Sequence, residues 1–150
     1  MNLPLPLPAA TRDDARWLAA FLAAELPATD FDHAGHLRAA GLLLQRHPLP
    51  EALPLYLAGL RGLAARLGVP GKVHATVTEA LLRLMAAAGA GTPGQPWTLC
   101  LQREPALHRD ARALLARHYS PERLDSEAAR QHFVPPDRLP LPPCPAPEPT

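Results

Sequence analysis

The chain has one lysine, two cysteines, seven aromatic residues and almost no net charge, and each shortage excludes something. A formal charge of +1 with neutral histidines argues against a protein built to neutralise many phosphates, so no nucleic-acid partner is expected. Cys100 and Cys144 supply neither a disulfide framework nor a thiolate metal site. No apolar run approaches the ~20 uncharged residues of a membrane-spanning helix, so no membrane partner is expected either. The opening Met1-Asn2-Leu3-Pro4-Leu5-Pro6-Leu7-Pro8 lacks the basic flank and continuous apolar stretch of a secretory signal, which points to a cytoplasmic protein. With 47% hydrophobic and 19% charged residues, 150 residues suit one globular domain with a real core.

Proline and histidine are the residues in excess, at twenty and seven. Alternating Leu and Pro at 3–8, and the same character at 139–150, favour extended backbone and forbid helix. The expected organisation is a Pro-rich arm at 1–10, a helical domain at 11–138 and a Pro-rich tail at 139–150. Between the ends, segments rich in Ala, Leu and Arg carry helical periodicity, and no run of alternating β-branched residues competes.

A first helix should follow the N-cap Thr11 and stop before Pro27, with an apolar stripe of Trp17, Leu18, Phe21, Leu22 and Leu26. A second should cover 30–46, a third should open near Pro50 and close at Gly68, and a fourth should cover 73–88. A short helix at 97–103 precedes a fifth long one at 105–117, and Ser120 and Ser126 read as caps of two short turns. The fold expected is an all-α, single-domain bundle of about five main helices with Pro-rich termini.

His33 and His36 are three residues apart, so on a helix they project from one side, in line with Ala40, Leu43 and Leu44. His74, read as the first turn of the fourth helix, aligns with Val77, Thr78, Leu81, Leu84 and Met85. Short loops favour antiparallel neighbours, so helices two and four run parallel and start at the same end of the bundle. His33, His36 and His74 should therefore converge there, with His118 in reserve at the end of the fifth helix. Three inward imidazoles suit a divalent transition metal (zinc, iron or copper) with a position left open for water or substrate. Asp32, Glu79 and Glu122 are the carboxylates near enough in sequence to add a ligand. His47, His108 and His132 take structural readings.

Three ordered motifs recur in this region: Phe31-Asp32-His33-Ala34-Gly35-His36, Gly68-Val69-Pro70-Gly71-Lys72-Val73-His74-Ala75-Thr76-Val77-Thr78, and Tyr119-Ser120-Pro121-Glu122-Arg123-Leu124 followed by Ala129-Arg130 and Phe133-Val134-Pro135-Pro136-Asp137. Together they resemble the hallmarks of a family of small, functionally uncharacterised bacterial proteins, over roughly 31–140. Where that family usually has Tyr before the third histidine and Glu after it, this chain has Val73 and Ala75. The resemblance implies which residues act together and no particular chemistry.

The function expected is a His-ligated metal-binding protein acting as a metal-dependent enzyme on a small molecule. Its metal ligands are His33, His36 and His74, and Thr76, Thr78, Tyr119 and Arg130 stand around the substrate. Against the C-terminal members, Tyr119 and Arg130, stands a structural reading, in which Ser126 caps a turn, Arg130 pairs with a carboxylate and Phe133 and Val134 cover the core. An alternative is an interaction protein whose Pro-Leu termini dock on a partner. A helix-turn-helix around Leu63 to Leu81 is the weakest reading. Its second helix has no basic cluster, and His74 falls where that motif needs an apolar residue.

Overall fold

The computed structural model describes residues 12–144, so the arm at 1–10, the cap at Thr11 and the tail at 145–150 lie outside the described residues. Four helices carry the fold: α1 (Arg12–Leu22), α2 (His33–Arg46), α3 (Leu49–Arg66) and α4 (Ala75–Ala87). Five shorter ones follow, α5 (Leu99–Arg103), α6 (Ala106–Arg109), α7 (Ala111–Ala116), α8 (Pro121–Leu124) and α9 (Glu127–Gln131). The result is an all-α, single-domain helical bundle. Among the described residues no helix is long and apolar enough to cross a membrane.

Helix α1 stops five residues short of Pro27. Ala24 takes a left-handed φ of 57° and the Glu25 N–H reaches back to Ala20 O at 2.8 Å, the six-to-one bond that closes a helix. The turn buries Leu26 and leaves Leu22, expected on the apolar stripe, 45% exposed. Helix α2 begins only at His33, because Asp32 is its N-cap and accepts from the Gly35 N–H at 2.9 Å. From Leu37 to Leu44 it is buried on almost every side, which makes it the central helix. Gly41 is the residue that permits this: a Cβ there would run into the Trp97 ring.

The expected fifth helix is broken in two. Asp110 leaves helical geometry (φ −158°, ψ 71°) and its side chain accepts from the Ala113 N–H, capping α7 afresh. Helix α4 begins two residues later than expected, since His74 is extended and caps it. Ser120 and Ser126 do cap α8 and α9, accepting from Arg123 N–H and Ala129 N–H. A main core joins α1 to α4 with α5, α6 and α7, and a smaller cluster of Ala80, Leu115, Tyr119, Ala129 and Val134 lies between α4 and the C-terminal segment. That segment is strapped down as far as Leu139: Leu139 N–H donates to Arg117 O at 3.2 Å and Arg138 N–H to His118 O at 2.9 Å.

Candidate functional site

Two adjacent apolar compartments of one pocket region, with four lining residues in common, open at the end of the bundle where α2 and α4 start. The larger, about 420 Å³, runs between the 28–31 turn, α3 and the start of α4. The smaller, about 320 Å³, continues between α2 and α4. Phe31, His36, Val77 and Thr78 line both. His74 borders the first and His33 the second, so the three histidines singled out in the sequence do gather around one pocket.

They are not equivalent once their partners are counted. The His74 Nδ1 accepts from the Val77 N–H at 3.2 Å, and its Nε2 lies 2.8 Å from Leu124 O. A carbonyl only accepts, so Nε2 carries the proton, and both nitrogens are spent. His74 is a cap and a tether, joining the first turn of α4 to the end of α8. His33, on the exposed side, donates Nε2–H to Leu107 O at 2.9 Å and keeps the Nδ1 lone pair. His36 donates Nδ1–H to Asp32 O at 2.8 Å and keeps Nε2, which has no protein partner among the described residues. The three-histidine metal centre therefore does not fit this arrangement, for want of a lone pair on His74. Among the described residues no group of three His, Cys, Asp or Glu side chains is placed to hold a metal ion. Asp32 is occupied as a cap, and Glu79 pairs with Arg83 one turn along α4.

His36 has the most distinctive surroundings. Its ring packs 4.1 Å from the Phe31 ring, which in turn stacks on Phe21 and Trp17. Tyr56, from α3, donates its hydroxyl to His36 O at 3.1 Å and fixes the first turn of α2. Burial pushes the imidazole below its usual titration range and the neighbouring His33 adds to this, while the Asp32 carbonyl acts the other way. A neutral ring held by Nδ1 with Nε2 free toward a pocket can act as a base or a ligand.

The remaining sequence candidates divide. Thr78 lines the pocket, although its hydroxyl donates to His74 O at 2.7 Å. Thr76 is fully buried on the other side of α4, where its Oγ1 donates to His132 O at 3.0 Å and accepts from the Val134 N–H at 3.1 Å. Tyr119 donates to Val134 O at 2.7 Å, and burial pushes its phenol up to about 12, so it stays protonated. Both staple the C-terminal segment to the bundle, away from the pocket. Arg130 is exposed in a neighbouring cleft with Arg61 and Glu127, and it pairs with no carboxylate among the described residues. The reserve candidate, His118, is buried with Nδ1 on Leu139 O at 3.0 Å and borders neither compartment. Phe133 covers α4 through Arg83, whose guanidinium stacks 4.4 Å from its ring.

Sequence reasoning passed over two pocket residues. Tyr56 reads as core in the α3 stripe, as it also is. Lys72 stands at the rim on the Pro70–Lys72 turn, and its only sequence signal is that no other lysine exists. The fold and site thus define a helical bundle with a polar-rimmed apolar pocket at one end. No protein-family model matches this chain, nor does any curated protein or solved structure.

Proposed function

We propose that the protein binds a small, largely apolar molecule in the two-compartment pocket, and that His36 acts on it as a general base through Nε2. One observation carries this: the only imidazole that both compartments share has its Nδ1 engaged, its Nε2 unengaged and its charged form disfavoured by burial. A base of that kind is unprotonated near neutral pH and takes a proton from a bound molecule without first losing its own.

The metal-dependent form of this reading keeps two of its three ligands. Among the described residues His33 Nδ1 and His36 Nε2 have no partner, on residues one helical turn apart, and zinc, iron or copper would need its other ligands from water or substrate.

Nitrogen-detected NMR of the histidines at pH 7, with a ligand-observed fragment screen, tests the proposal. His36 should be neutral with the proton on Nδ1, and fragment hits should vanish in a pocket-filling Ala64→Trp variant. An imidazolium at His36, or hits indifferent to Ala64→Trp, would sink it. Elemental analysis of untagged protein from metal-replete growth, beside a His33→Ala/His36→Ala variant, decides the metal form: stoichiometric metal lost in the variant supports it, and none in either removes it.

A further inference from the structure

The larger compartment says what its ligand must carry. Most of its wall is aliphatic, supplied by Leu60, Leu63 and Leu67 of α3 and its C-terminal end and by Val73 and Val77 on the α4 side. Its polar lining is His36, His74, Lys72 and Thr78, and no carboxylate is among them. His74 and Thr78 spend their hydrogen bonds on the protein, and His36 is disposed to be neutral. Lys72 is left as the one formal charge on the lining, and its ammonium makes no hydrogen bond or ion pair among the described residues.

The backbone fixes the place of this residue. Lys72 N–H bonds to Val69 O at 3.0 Å inside the Pro70–Lys72 turn, and Gly68, at φ 74°, ends α3 just before it. Of the other exposed cations nearby, Arg61 and Arg130 line a cleft that shares only Val73 with the pocket, and Arg66 donates to Leu26 O. In a chain with fourteen arginines, the pocket rim carries the lone lysine, a compact charge on a flexible stem.

We propose that the ligand is an amphipathic monoanion, an aliphatic or aromatic carboxylate, with its apolar body between α3 and α4 and its carboxylate on Lys72. This rests on the small-molecule reading above and adds to it the charge and polarity of the molecule. A dianionic phosphate monoester matches less well, because a single ammonium neutralises only part of it. A cation or a neutral alcohol leaves Lys72 without a partner.

Calorimetry with decanoate, 1-decanol, decyltrimethylammonium and decyl phosphate, each below its micellar concentration, tests the assignment. Decanoate should bind tightest, and its affinity should fall about fourfold for each methylene removed, the factor that one buried CH2 is worth. Lys72→Met should weaken decanoate roughly five- to tenfold and leave decanol unchanged, and Lys72→Arg should restore most of the loss. Ala64→Trp should abolish all binding. Decanol or decyltrimethylammonium binding as well as decanoate, or decanoate indifferent to Lys72→Met, overturns the carboxylate assignment while the pocket reading stands. Decyl phosphate binding tighter than decanoate overturns it too, in favour of a phosphorylated ligand. If no decyl compound binds but fragments do, only the assignment fails; if neither binds, the pocket reading fails with it.

Discussion

Two regions of the bundle use their polar side chains in different ways. Around the start of α2, His33 and His36 each give one nitrogen to a backbone carbonyl and keep the other, and the Lys72 side chain has no partner among the described residues. Between α4 and the C-terminal segment, Thr76, Tyr119 and Asp137 spend their polar atoms on the chain itself, and His118 gives Nδ1 to Leu139 O. Ser120 alone gives its N–H and its hydroxyl to the two Asp137 oxygens, and Arg123 donates to Pro135 O at 2.5 Å. Backbone carbonyls of a segment without regular structure need donors, and these side chains supply them. The residue type says that a hydrogen bond can be made. Only the inventory of partners says whether one is left for a ligand.

Substitutions should split along that line. Tyr119→Ala should have the largest effect, destabilising by about 3–5 kcal/mol in urea unfolding, since a fully buried ring and its bond to Val134 O are both lost. Thr76→Val should cost about 1–3 kcal/mol, because it keeps the shape but leaves the buried Val134 N–H unpaired. Both variants, while folded, should bind pocket ligands like the parent. A ligand defect without a stability defect in Thr76→Val would break the comparison.

His74 sits on the boundary and sharpens it. His74→Ala should cost about 1–2 kcal/mol through the lost α4 cap and the lost tether to Leu124 O. His74→Asn should recover the cap portion, since Asn also accepts from the first-turn amides. Recovery of nothing by Asn would mean that the tether alone matters.

The smallest effect expected is a pH dependence. With its folded pKa below the ordinary 6.5, His36 binds fewer protons in the folded chain than in the unfolded one, so stability should fall as pH drops below about 6.5. Asp137 is also held below its ordinary 3.8, chiefly by the Ser120 hydroxyl; its contribution is present above that value and lost as pH falls through the lower folded pKa. Urea midpoints at pH 7 and 5 should differ less in His36→Gln than in the parent, and Asp137→Asn should alter only the more acidic limb. An equal drop in His36→Gln would assign the first window to another group.

Local chemistry made much of this legible in advance. Asp13 and Asp14 in the first turn of α1, the seryl caps of α8 and α9, and the Gly68 stop of α3 are decided by neighbours within a few residues. So is the left-to-right alternation of helix and proline that gives the all-α bundle. The break at Asp110 and the early end of α1 at Ala24 were hidden, since each depends on a turn that competes closely with one more helical step. The gathering of His33, His36 and His74 also followed from helix order, yet their roles did not.

Helical periodicity, proline placement and capping residues thus fixed which segments are helices and which histidines share an end, because those preferences act over single turns. Tertiary structure alone decided what each polar atom meets. It gave His74 Nε2 to Leu124 O, and it set His36 Nε2 and the Lys72 ammonium at an apolar pocket with no partner among the described residues. The carbonyls that hold His74, His36 and His33 are those of Leu124, Asp32 and Leu107, and two of the three belong to distant chain, which no spacing in the sequence encodes.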